Sequence, residues 1–133
     1  MMKKLLITLS LIALAFSSCF GTQKKEVELI FHTDIDAAQA SELIQENLEN
    51  EDFVILDVRS PSEFKSGHIP GAVNINYYDS DFEAQLDELD KDKVYLLYCR
   101  SGGRSSNALK KMIRLEFKRV YHLKKGYNSW KNR

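Results

Sequence analysis

Two short apolar runs limit the fold more than anything else in the chain. They are Phe53-Val54-Ile55-Leu56-Asp57-Val58 and Val94-Tyr95-Leu96-Leu97-Tyr98. Each is too short for a typical helix, is rich in β-formers and lacks a regular polar alternation, which is the pattern of a strand covered on both faces. Such strands need helices on each side. The sequence supplies these: Ala37, Ala40, Ile44 and Leu48 recur at helical spacing through Asn50, behind Asp34 or Asp36 as the cap. Ser60-Pro61 opens a helical turn with Pro at its first position, Glu63 near its positive end and Gly67 closing it. Phe82, Leu86 and Leu89 mark a further helix, Ala108, Leu109, Met112 and Ile113 form the stripe of one over 105–115, and a terminal helix begins at Gly126. Shorter strands are expected at Leu29-Ile30-Phe31, at 72–75 and at 120–123. The alternation predicts an α/β domain over 29–133, with a mainly parallel sheet and helices on both faces. Ligands of such sheets bind beyond the carboxyl ends of strands, and Cys99 stands at one of those ends.

The first residues do not belong to this pattern. Lys3 and Lys4 precede an apolar stretch, Leu5 to Phe16, broken only by Thr8 and Ser10 and followed by Ser17, Ser18 and Cys19. This is the three-part layout of a secretory signal. At about 12 residues the stretch is shorter than the roughly 20 that a spanning helix needs, so removal of 1–18 is expected. Phe16-Ser17-Ser18-Cys19 resembles a bacterial lipobox, with Phe16 where Leu is usual. That resemblance implies a mature chain beginning at a lipidated Cys19, a tether over 19–28, and anchoring to a membrane surface of the bacterial cell envelope. An ordinary signal cut near Ser18 is the alternative. Of 19 basic and 19 acidic residues, the two lysines fall in the signal, leaving 17 against 19, or −2, beyond it. A chain of that charge has no general attraction to nucleic acid.

The cysteines are Cys19 and Cys99 alone. A lipidated Cys19 forms no disulfide, which leaves Cys99 as a lone thiol in an oxidising compartment, where a retained thiol points to use. A Cys19–Cys99 disulfide in an unlipidated chain, or Cys99 as a small buried hydrophobe, are the bland alternatives. The residues that follow favour use. Cys99-Arg100-Ser101-Gly102-Gly103-Arg104-Ser105 joins a buried strand to a helix and brings together a thiol, two guanidinium groups, two hydroxyls and two glycines. Glycines at Gly102 and Gly103 permit positive φ, so backbone N–H groups can turn inward as a nest, to which the helix adds its positive end. A free cysteine ionises near pH 8.5, roughly, and such surroundings lower that to about 3.5–7.5.

This loop resembles the active-site loop of the rhodanese family of sulfurtransferases. Asp57-Val58-Arg59, Glu63-Phe64 and Gly67-His68-Ile69-Pro70-Gly71-Ala72 resemble the family's first signature, and Leu123 through Trp130 its closing segment. The likeness spans about residues 34 to 130. It implies a single rhodanese-like domain, an α/β fold with a five-stranded, mainly parallel sheet and helices on both faces, in which Cys99 carries a persulfide. Two positions depart from the family pattern: Lys125-Gly126 replaces the usual Gly-Gly pair, and Glu116 replaces a Gly common in the turn before the last strand.

The expected function is sulfur transfer. Cys99 would take the outer sulfur of a small anionic donor such as thiosulfate and pass it to a small or protein thiol or to cyanide. Arg100 and Arg104, with Ser101, Gly102, Gly103 and Ser105, would hold the donor, and no organic cofactor or metal is called for. His68 has no partner at ligand spacing and lies in a turn between Gly67 and Pro70. Arg59 and Glu63, four apart, are expected to pair and pin the first loop, whereas Asp57 is expected to have no catalytic part because a carboxylate beside the thiol would oppose its ionisation. Tyr77, Tyr78, Tyr127 and Trp130 are expected in core and rim packing. Phosphatase loops also place Cys and Arg around a nest, but only four residues separate Cys99 from Arg104, one fewer than those loops have, and the shorter ring suits a smaller centre. A partner-dependent persulfide carrier or a redox-sensing module would use the same residues.

Overall fold

The structure is a computed structural model that describes residues 28–133. The signal over 1–18, Cys19 and the tether up to residue 27 lie outside the described residues. The elements, in order, are β1 (Phe31–Ile35), α1 (Ala37–Glu46), β2 (Phe53–Asp57), α2 (Pro61–Lys65), β3 (Val73–Asn74), α3 (Phe82–Asp87), β4 (Val94–Tyr98), α4 (Gly103–Arg114), β5 (Arg119–Leu123) and α5 (Gly126–Lys131). The five strands form one sheet in the order β1-β5-β4-β2-β3, and every pairing is parallel.

The two apolar runs are the central strands β2 and β4. Along β4, Tyr95 and Leu97 face a layer with Phe82 and Leu86 of α3 and Ala108 and Met112 of α4. Leu96 and Tyr98 face the opposite layer, with Ala40 and Ile44 of α1 and Trp130 of α5. Leu96 and Leu97 have no exposed surface, so truncating either to alanine removes about 2–5 kcal/mol. This double coverage explains the lack of alternation in the sequence.

Local signals set the helix starts. Asp36 caps α1, its carboxylate accepting from Gln39 N–H at 2.9 Å while the Gln39 side chain accepts from Asp36 N–H. Ser60 and Glu63 form the same reciprocal box at α2, with Pro61 at its first position. The first strand differs from expectation: β1 occupies Phe31–Ile35, while Leu29 and Ile30 are exposed. Pairing of Phe31 to Ile35 with Arg119 to Leu123 fixes that register, overriding local apolarity. Helix α1 also ends at Glu46, before Leu48, which is exposed. Asn47 stops it by turning its Nδ2 back to Leu43 O at 2.7 Å.

The two departures from the family pattern have different consequences. Lys125 has an ordinary φ of −94° and is exposed, so its side chain meets nothing that requires Gly. Glu116 adopts φ +67°, the left-handed region that costs a side-chain-bearing residue about 1–2 kcal/mol.

Candidate active site

The loop after β4 wraps around the sulfur of Cys99, which is almost fully buried. Gly102 N–H donates to Sγ at 3.1 Å, and Ser105 Oγ lies 3.2 Å from Sγ. Burial pushes the Cys99 thiol up, but hydrogen bonds from the Ser105 hydroxyl and from the N–H groups of Ser105, Gly102 and Ser101 outweigh it. The thiol is therefore held below its ordinary value. The Ser105 hydroxyl, followed by the converging N–H groups of the loop, is the source of that lowering.

Glycine is required where the chain is tightest. Gly102 has φ +109°, and a Cβ there would stand 2.0 Å from Lys124 O. Gly126, with φ +64°, backs directly onto the loop: a Cβ would lie 2.5 Å from Arg100 O and 2.6 Å from Cys99 O. This close approach lets Tyr127 N–H donate to Cys99 O at 2.8 Å and Asn128 N–H donate to Arg100 O at 3.0 Å. Gly103 corrects the expectation that both loop glycines adopt positive φ. It has no such φ, opens α4, and has free space where a Cβ would go.

The two arginines of the loop have different surroundings. Arg100 is exposed and borders an open cleft of about 410 Å³, whose walls also include Arg59, Glu63, Tyr127, Asn128 and Lys131. Arg104 donates from Nη1 and Nη2 to the two Glu63 oxygens at 2.7 and 2.9 Å and covers the Tyr78 ring. Glu63 is thus joined to Arg104, and the expected Arg59–Glu63 pair does not form. Arg59 instead donates to Asp57 from its backbone N–H, Nε and Nη2, the last at 2.7 Å, and from Nη2 to Gly67 O at 2.7 Å. The ring of Tyr127 lies beneath its guanidinium at 4.2 Å. Both carboxylates of the first signature are therefore occupied by arginines, and Asp57 is fully buried in its pair. His68 Nδ1 is 2.8 Å from Phe64 O, and its ring stacks on Phe64 at 3.7 Å, consistent with a turn-packing role.

One buried group escaped the sequence reading. His122 of β5 has its Nε2 2.7 Å from Ser105 Oγ and its Nδ1 2.8 Å from Asp34 Oδ1. Its only sequence signal is strand parity, since His122 shares the inward face of Val120 yet is polar. Asp34, considered only as a helix cap, is the outer end of this chain of contacts.

The arrangement provides a buried thiol lowered in pKa by its loop, with the next residue, Arg100, bordering the open cleft. The profile of the Rhodanese-like domain matches residues 40–133. A sulfurtransferase of Allochromatium vinosum is 29% identical over 72% of this chain and 88% of its own. The thiosulfate sulfurtransferase GlpE of Glaesserella parasuis is 32% identical, covering 74% of this chain and 85% of that protein. Among solved structures, a rhodanese-related protein of Thermoplasma volcanium superposes with a TM-score of 0.62 at 29% identity, over 75% of this chain and 91% of that one.

Proposed function

This chain belongs to the rhodanese-like domain family, with sulfurtransferases among its relatives, and we propose that it moves sulfane sulfur through a persulfide on Cys99. The observation that carries the reading is the sulfur of Cys99 held by inward N–H groups, in a loop whose Arg100 borders the cleft. The thiolate attacks the outer sulfur of thiosulfate, the sulfur–sulfur bond of the donor breaks, and sulfite leaves with the electron pair. An acceptor thiolate or cyanide then attacks the outer sulfur of the persulfide and regenerates the Cys99 thiolate. The same N–H groups that hold the thiolate are placed to hold the terminal persulfide sulfur. Arg100 receives the anionic donor. Arg104, with its guanidinium taken up by Glu63, serves as the clamp that holds α2 against the loop.

Intact mass after exposure to thiosulfate tests the reading. Wild type should gain one sulfur atom and lose it to cyanide, and Cys99→Ser should gain none. Arg100→Ala should weaken loading about 10- to 150-fold, the range of a charge-assisted contact of about 1.5–3 kcal/mol. No loading from any small donor, with Cys99 reduced, would sink the free-donor reading and favour a carrier loaded by a partner protein. We also propose that lipid on Cys19 anchors the domain at the cell envelope, a reading supported by the signal-like N-terminus. Native protein that stays out of the detergent phase would refute it.

A further inference from the structure

A line of hydrogen-bonding groups runs from the buried sulfur to the surface of the sheet. Ser105 Oγ is 3.2 Å from Cys99 Sγ, His122 Nε2 is 2.7 Å from Ser105 Oγ, and Asp34 Oδ1 is 2.8 Å from His122 Nδ1. Three elements supply the groups beyond the thiol: α4, β5 and β1. The register pairs Asp34 with His122 directly across the strands, so the last contact is built into the sheet. The His122 side chain is 3% exposed and that of Asp34 50%, so the line begins in the core and ends in water.

Donor and acceptor roles follow from chemistry. An ionised carboxylate only accepts, so His122 donates from Nδ1, and the neutral ring then has Nε2 as acceptor. Of the three contacts of Ser105 Oγ the one to His122 Nε2 is shortest, at 2.7 Å against 3.2 Å to Gly102 O and to Sγ; with the thiol protonated the hydroxyl therefore donates to Nε2, and its oxygen accepts from the Cys99 thiol. We propose that Ser105, His122 and Asp34 form a proton relay that ionises Cys99. The S–H bond breaks as its proton moves to Ser105 Oγ, and the original hydroxyl proton moves to His122 Nε2. Thiol and neutral imidazole become thiolate and imidazolium with no net change in charge. The re-formed hydroxyl then donates to the thiolate, and the imidazolium is held between Ser105 and the Asp34 carboxylate. The proposal rests on Cys99 being the reacting thiol.

The charged groups around the relay are few. β1 presents Asp34, β4 presents the uncharged Leu97 in register with His122, and Lys124 after β5 lies 3.9 Å from the other Asp34 oxygen. On the far side of the sulfur, Arg104 is paired with Glu63. Among the described residues the imidazolium thus has one facing counter-charge, Asp34, besides the thiolate itself.

The rate of Cys99 alkylation by iodoacetamide, an uncharged probe, measured against pH tests the relay. Wild type should show a midpoint below that of a free thiol. His122→Gln should move it upward by about one pH unit, the low end of what a neighbouring opposite charge does. Ser105→Ala should move it at least as far, and the double variant no further than Ser105→Ala alone, because the two act in series. Asp34→Asn, altered at a half-exposed position, should shift it in the same direction and serves if the core variants fail to fold. A second reading uses wild type only: nuclear magnetic resonance should show the His122 imidazolium diminished when Cys99 is blocked by carbamidomethylation. A wild-type midpoint equal to that of a free thiol would remove the Cys99 reading along with the relay. A low midpoint that survives in His122→Gln and Asp34→Asn, or a His122 signal indifferent to blocking, would remove the relay alone.

Discussion

Glu63→Gln keeps the shape of the side chain and deletes the charge that Arg104 binds. In wild type the Arg104 contact, opposed by burial and aided by Ser60, holds the Glu63 carboxyl at about 2 instead of 4.5. At about 1.4 kcal/mol for each tenfold change in proton affinity, that difference corresponds to about 3 kcal/mol of folding free energy. The Glu63 side chain is 30% exposed, so screening by solvent trims the value to about 2 kcal/mol. The carboxyl binds protons less tightly in the folded state than in the unfolded one. The stabilisation is therefore complete above pH 4.5 and is lost as pH falls from there toward about 2. Urea unfolding should show Glu63→Gln less stable than wild type by about 2 kcal/mol at neutral pH, with a thermal midpoint lower by about 10 °C. The gap should have mostly closed by about pH 2, where wild-type Glu63 is itself half neutral. A gap below about 0.5 kcal/mol at neutral pH, or one of equal size at both pH values, would refute the claim that the carboxylate–guanidinium pair fixes α2 to the loop.

Three glycine-related substitutions extend the test. Glu116→Gly should raise stability by about 1 kcal/mol in denaturant unfolding, since it relieves a positive φ. Gly126→Ala should cost at least about 2 kcal/mol and suppress sulfur loading, because its methyl group would strike the backbone of Arg100 and Cys99. Gly103→Ala should leave loading intact and be neutral or stabilising by up to about 1 kcal/mol, as the site is open and the φ ordinary; a loss as large as that of Gly126→Ala would contradict the geometry of the loop.

What the sequence revealed and what it hid divide along the distance between partners. Ser60, Pro61 and Glu63 carry the start of α2 within four positions, and the burial of β2 and β4 is written in their own side chains. The Cys99 to Ser105 loop was legible because the sulfur and the N–H groups that hold it lie within seven residues. The position of β1 was misplaced since its register depends on β5, which lies at the other end of the chain. Glu63 was given the wrong partner for a similar reason. Arg59 was the nearer candidate, but it is captured by Asp57 two residues back, while Arg104 arrives from 41 residues away. His122 was overlooked because a single polar residue in a short strand gains its meaning only from Ser105 and Asp34, brought in from α4 and β1.

The pairing of β1 with β5, and the seating of α5 behind the reactive loop, bear on how the molecule is made. The first strand of the described domain must wait for the last, and the carbonyls of Cys99 and Arg100 must wait for the amides of Tyr127 and Asn128. A nascent chain that has already completed β2, α2 and β4 therefore has its thiol in place without the turn that encloses it. Such high contact order delays closure of the sheet, and of the turn behind the loop, until β5 and α5 have been made. Until then the loop that holds the Cys99 sulfur lacks the two amides that seat its backbone.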